Sequence, residues 1–177
     1  MDLRHDALAA AAAFIMASET MARDTPGLVA TVGVIHASPG APNIIPGTVT
    51  CSLDIRHADD AIRDANVETI LASATAGAQT RGVALAHRRT STVRSVTMDP
   101  ALTSSLAAAA ERAGYPAHRM SSGAGHDAMI LAPHVPAAML FLRTPAGLSH
   151  HPDETVLLAD VEAGLETCMA WLEALSV

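Results

Sequence analysis

Thr48-Val49-Thr50-Cys51-Ser52-Leu53-Asp54-Ile55-Arg56 is the stretch on which the fold turns. Val49, Cys51, Leu53 and Ile55 alternate with Thr48, Thr50, Ser52, Asp54 and Arg56. That period of two predicts a strand with one face on a core and the other toward water or a ligand. Upstream, Leu28 to Ala37 is β-branched and predicts a partner strand. The loop Ser38-Pro39-Gly40-Ala41-Pro42-Asn43 and a turn at Pro46-Gly47 join the two. Residues 5–22 predict a helix, with good formers throughout and a stop at Asp24-Thr25-Pro26-Gly27. Beyond the alternating strand, Asp59 or Asp60 can cap a helix with the stripe Ile62, Val67, Ile70, Leu71 and Ala74, ending near Gly77. A third strand is expected at 83–94. The order helix–strand–strand–helix–strand is a ferredoxin-like sandwich without its opening strand, which leaves an edge to be filled.

A second unit begins at Asp99-Pro100, an N-cap followed by Pro at the first helical position, with Gly114 past the helix end. A short strand near 117–120, a Gly-rich loop and a short helix from 126 follow. Pro136 to Leu142 is a continuous apolar run, suited to a strand buried on both faces. A last helix, capped by Asp160, carries Val161, Leu165, Cys168, Leu172 and Leu175 at three-four spacing. The fold class expected is therefore α/β. Residues 1–95 form an α+β domain, and residues 96–177 a partial α/β domain with too few strands to close a sheet alone.

Composition narrows the function classes. Half of the 177 residues are hydrophobic, so a core is available and wholesale disorder is excluded. Only four aromatics are present, so packing rests on Ala, Val, Leu, Ile and Met. All eleven basic residues are Arg, the net charge is −7, and no basic stripe exists. That balance argues against nucleic acid and anionic membrane, and neither is expected as a partner. Two Cys, at 51 and 168, make neither a disulfide framework nor a thiolate metal site. The apolar run 7–17 has the length of a signal-peptide core but lacks its positive flank and is too short to span a bilayer. A cytoplasmic protein is expected.

Nine histidines are many for this length and direct attention to three segments. Ser121-Ser122-Gly123-Ala124-Gly125-His126-Asp127 can bring backbone N–H groups close to an anionic or carbonyl oxygen, with His126 and Asp127 beside them for proton transfer or orientation. The plainer reading is a tight strand-to-helix turn. Gly147-Leu148-Ser149-His150-His151-Pro152-Asp153-Glu154 suits one metal-ligating His with carboxylates around it, or a polar surface loop. Asn43 precedes the alternating strand and Arg56 ends it. Together they could clamp a carboxylate, or be a turn-forming Asn and a surface Arg. His5, His36, His87, His118 and His134 have no partner at ligand spacing, and Arg88-Arg89 reads as a solvated edge.

The order Pro42-Asn43-Ile44-Ile45-Pro46-Gly47, Asp54-Ile55-Arg56-His57, Ser122-Gly123-Ala124-Gly125-His126-Asp127-Ala128 and Gly147-Leu148-Ser149-His150 resembles one family. It is that of the binuclear-metal N-carbamoyl-L-amino-acid hydrolases and allantoate amidohydrolases, within the aminoacylase and carboxypeptidase-like metallopeptidase superfamily. The opening Met1-Asp2-Leu3-Arg4-His5-Asp6 resembles the stretch beginning at the Met of the family's HAGTTPM segment. The resemblance implies a lid or dimerisation domain over 1–95 and the C-terminal part of the catalytic domain over 96–177. It implies hydrolysis of a linear amide or carbamoyl C–N bond, with two Zn²⁺ or Mn²⁺ ions and a Glu base. His150 takes the place of the last metal ligand. Asn43 and Arg56 take the places that hold the substrate carbonyl and carboxylate, and Gly123, Gly125, His126 and Asp127 line the pocket. The remaining ligands and the base match nothing in this chain, which is therefore expected to be a C-terminal portion, inert alone, without a catalytic residue of its own. The partners implied are a small ureido or carboxylate substrate and a second copy through the lid. Two alternatives are a non-catalytic dimerising or carboxylate-binding module and one half of a split enzyme.

Overall fold

The first helix begins where a carboxylate takes its orphan amides. Asp6 accepts from the N–H groups of Leu8 and Ala9 at 3.1 and 3.0 Å, and α1 runs Ala7–Asp24. A computed structural model describes residues 3–149 and 151–175, and the chain divides into two units, Met1–Ser95 and Val96–Val177. In the first, the expected strand pair forms, but each strand is broken into two. The segments are β1 (Val29–Thr31), β2 (Ile35–Ser38), β3 (Thr48–Cys51) and β4 (Asp54–Arg56). The pairs β1–β4 and β2–β3 are antiparallel, giving two two-stranded sheets in one long hairpin.

The register explains the break. Thr31 faces Asp54 and Ile35 faces Cys51, so three residues on one strand stand against two on the other. That extra residue is a β-bulge at Val32-Gly33-Val34. Ser52 closes it, its N–H donating to Val34 O at 3.0 Å and its Oγ accepting from Val34 N at 3.1 Å. On the unbulged strand the alternation of Val49, Cys51, Leu53 and Ile55 survives as half-buried positions between exposed ones. Across the bulge the inward positions change parity, from Leu28, Ala30 and Val32 to Ala37.

Asp59 caps α2 (Asp60–Thr80), accepting from Ala61 N at 2.7 Å and Ile62 N at 3.3 Å. The helix passes through Gly77 rather than ending there. It stops at Gly82, whose φ of +64° reverses the chain against the His5 ring. Its buried residues Ile70, Ala74 and Ala78 recur at i, i+4, i+8, and α2 packs on α1 with the hairpin against them. His57 ties the hairpin end to both neighbours. Its Nε2–H donates to Pro26 O at 3.2 Å and its Nδ1 accepts from Asp59 N at 2.9 Å.

The strand expected at 83–94 does not form. The backbone at its end is taken by α2 side chains instead: Arg63 donates to Val93 O at 2.9 Å and Asp60 accepts from Ser95 N at 3.0 Å. The ferredoxin-like pattern therefore stops at the hairpin and its two helices.

In the second unit, Asp99 caps α3 (Pro100–Arg112) through Leu102 N at 2.8 Å. The short α4 (Asp127–Leu131) and α5 (Leu158–Leu175) follow, and α3 packs on α5. Trp171 Nε1–H donates to Ser105 Oγ at 2.8 Å and Tyr115 O–H to Glu166 at 2.6 Å across that contact. The strands expected near 117–120 and over Pro136–Leu142 are extended chain without a ladder. An apolar run becomes a strand only where another backbone offers its hydrogen bonds. Here Ala137 O takes Asp99 N at 2.8 Å, and Leu142 seats on α5 where Gly164 leaves room, a Cβ there standing 2.6 Å from Leu142 Cδ2. Asp160 does not cap α5. It lies inside the first turn, buried, and pairs with Arg143. No helix among the described residues is long and apolar enough to cross a membrane.

Candidate functional site

Arg56 ends β4 on the solvent side of the hairpin, two residues from Asp54 and on the same face of the strand. Its Nε donates to Asp54 Oδ1 at 2.7 Å and its Nη2 to Asp54 Oδ2 at 3.0 Å, a fork-to-fork pair with both side chains 54% exposed. Hydrogen bonding from Arg56 holds the Asp54 carboxyl below the usual carboxylate range despite some desolvation, and the pair raises Arg56 in turn. A guanidinium has five donors, and the Nε and Nη2 groups that face Asp54 lie on one edge of it.

Asn43 lies at the other end. It sits in the turn 41–44, closed by Ile44 N–H donating to Ala41 O at 3.3 Å, in the loop whose Pro46 O accepts from Ala7 N at the start of α1. Arg56 belongs instead to the segment paired with Val29, just beyond the end of α1. The strand from Thr48 to Arg56 spans about 25 Å at the usual rise. Asn43 and Arg56 of one copy are thus brought to opposite ends of the hairpin, not to one carboxylate.

The Gly-rich segment is a loop leading into α4. Neither Gly123 nor Gly125 has a left-handed φ, and a Cβ on either would meet nothing within 4 Å. The turn into α4 therefore needs no left-handed residue at either position. His126 is the N-cap residue of α4 but makes no capping hydrogen bond with its side chain, and Asp127 opens the helix. The ring is held from outside the helix: Ser122 Oγ lies 2.7 Å from Nε2, and Phe141 meets it edge-on at 5.3 Å between centroids. Ser122 was not singled out from the sequence. Its signal was the four-residue spacing to His126 with two glycines between them.

His150, the candidate metal ligand, lies outside the described residues. Next to it, His151 Nδ1 accepts from Asp153 N at 3.2 Å and stands 3.6 Å from the Asp153 carboxylate. Among the described residues no three His, Cys, Asp or Glu side chains converge to hold a metal ion. The described residues therefore do not fit a dinuclear centre. Burial pushes the Cys51 thiol up, away from the reactive thiolate, and Cys168 is free and exposed.

Comparison with known proteins covers almost the whole chain. Residues 4–174 match the model of peptidase family M20/M25/M40. The N-carbamoyl-L-amino acid amidohydrolase of Geobacillus stearothermophilus is 37% identical over 94% of this chain and 41% of its own length. The allantoate amidohydrolase of Escherichia coli K12 is 31% identical over 84% of this chain and 36% of its own. A crystal structure of a hydantoinase/carbamoylase-family amidase from Burkholderia multivorans superposes with a TM-score of 0.92, at 34% identity, over 98% of this chain and 43% of that one. A dinuclear metal-binding M20-family peptidase from Bacillus subtilis, 21% identical with a TM-score of 0.64 over 94% of this chain and 45% of its own, shares the fold. The chain spans about two fifths of the length of the curated relatives it matches.

Proposed function

The chain belongs to peptidase family M20/M25/M40, and on that premise we propose that it is the substrate-holding part of an amidohydrolase that cleaves carbamoyl or ureido C–N bonds. Residues 1–95 act as the lid and dimerisation domain, and residues 96–177 as the C-terminal part of the catalytic domain. Arg56 binds the substrate carboxylate, Asn43 its carbonyl oxygen, and the loop of Gly123, Gly125, His126 and Asp127 lines the pocket. His150 would supply one ligand to a pair of divalent ions, Zn²⁺ or Mn²⁺. The carrying observation is that the four segments fall, in order, within a match that runs over residues 4–174.

The hairpin geometry supports a homodimer. With Asn43 and Arg56 at opposite ends of one ribbon, a single small substrate can meet both types of residue only if two copies supply them. A guanidinium and an amide are donors that suit a carboxylate beside a ureido carbonyl.

The test is calorimetric titration of residues 1–177 with an N-carbamoyl-L-amino acid and with its amide analogue, which lacks the carboxylate. The carboxylate form binds, the analogue binds at least tenfold more weakly, corresponding to about 1.4 kcal/mol, and Arg56→Ala abolishes the difference. Equal responses from the native chain and Arg56→Ala would overturn the reading. Zn²⁺ or Mn²⁺ titration should show no tight two-ion uptake by residues 1–177 and no turnover. Stoichiometric binding of two ions with hydrolysis would show that this portion carries the whole reaction.

A further inference from the structure

We infer that Ser122 is a positioning residue for His126, fixing the imidazole as the Nδ1–H tautomer so that it offers a proton to an oxygen of the ligand. The ligand's identity rests on the function proposed above, whereas the tautomer does not. A serine hydroxyl has one proton and two lone pairs. One lone pair of Ser122 Oγ is engaged by Ala124 N–H at 3.2 Å, and His126 Nε2 stands 2.7 Å away. The second lone pair stays open, but among the described residues Nε2 is the acceptor within reach of the hydroxyl proton. In the arrangement inferred, Ser122 therefore donates to Nε2 and the ring proton lies on Nδ1.

The ring is not committed elsewhere. His126 starts α4 without a side-chain capping bond, and no hydrogen bond among the described residues engages Nδ1. The edge contact with Phe141, planes inclined at 66°, limits rotation of the ring. A Cβ on Gly123 or Gly125 would meet nothing within 4 Å, so these glycines leave open space in the loop that leads to His126. A fixed N–H donor next to backbone without side chains suits a carbonyl or carboxylate oxygen. The i, i+4 pairing of Ser122 with His126 is thus a device for choosing which nitrogen carries the proton, rather than a nucleophile and its base.

Nitrogen NMR of isotope-labelled histidines in residues 1–177 tests this, with the His126 signals identified by their loss in His126→Gln. The native chain should show Nδ1 protonated and Nε2 bare. Ser122→Ala should shift the population toward the Nε2–H form by roughly fivefold, the worth of one ordinary hydrogen bond, and Ser122→Thr should restore the native pattern. A protonated Nε2 in the native chain, or an unchanged pattern in Ser122→Ala, would overturn the proposal. Titration with the N-carbamoyl-L-amino acid separates the two readings. If the tautomer responds as stated but the native chain binds no such ligand, the positioning role stands and the proposed function fails. Weaker binding in Ser122→Ala with no tautomer change overturns the positioning role.

Discussion

Ile70 shows how much of the first unit rests on single side chains. It is 2% exposed, the largest residue among the fully buried ones, in a core otherwise made mostly of alanine. Alanine neighbours cannot move in to fill a void, so Ile70→Ala should cost about 3 kcal/mol, read as a lower urea midpoint by circular dichroism. Asp60 gives the pH dependence. The Ser95 N–H, with Arg63 beside it, holds its carboxyl below the ordinary value, and Arg56 does the same for Asp54. A depressed folded-state pKa stabilises above the unfolded value near 4 and is lost as pH falls through the folded one. Urea midpoints should therefore fall between about pH 5 and about pH 2, and fall less in Asp60→Asn. An identical fall in that variant would exclude Asp60 as a contributor. The Asp54–Arg56 pair was legible in the sequence, since positions two apart share a strand face. The Asp60–Ser95 contact was not, because 35 residues separate its partners.

At the scale of elements, the helices were readable and the strands only half so. Caps at Asp6, Asp59 and Asp99 act through amides two or three residues away, so each helix start is a local property. A strand is settled by whatever lies beside it. Residues 83–94 have a strand-like composition, yet α2 side chains bind the end of the segment. Arg63, only 11% exposed at its side chain, contacts Asp60 at 2.6 Å, Asp64 at 3.0 Å and Val93 O. Arg63→Ala should release residues 91–95 while leaving α2 folded. Limited proteolysis would show a new early cut there at unchanged helical signal; an unaltered digestion pattern would mean that other contacts hold the segment.

For the molecule as a whole, the measure is surface. The chain exposes 12431 Å² for 18.2 kDa. Two separate compact domains of half that mass would expose only about 9,800 Å². The excess includes large apolar side chains: Ile130 and Leu131 on α4, Leu140, Phe141 and Leu142 in the extended run, and Leu158, Leu165 and Leu172 on α5. Such a surface calls for cover. Residues 1–177 alone should bind a hydrophobic dye and self-associate, with a broad thermal transition. A monomer in sedimentation that melts in one sharp, cooperative step would contradict this.

The sequence by itself determined the helices, the alternating strand, the order of the four motif segments and hence the family, because capping, periodicity and motif spacing are short-range properties. Only the tertiary structure decided three things. A bulge at Val32-Gly33-Val34 splits the hairpin, Asn43 and Arg56 stand at its opposite ends, and Ser122 holds His126. The first two depend on which backbone arrives across the hairpin and leave no period in the sequence. For the third, the four-residue spacing allows the contact but only the path of the loop makes it. Half hydrophobic, the chain has ample apolar material; packing alone showed how little of it is buried.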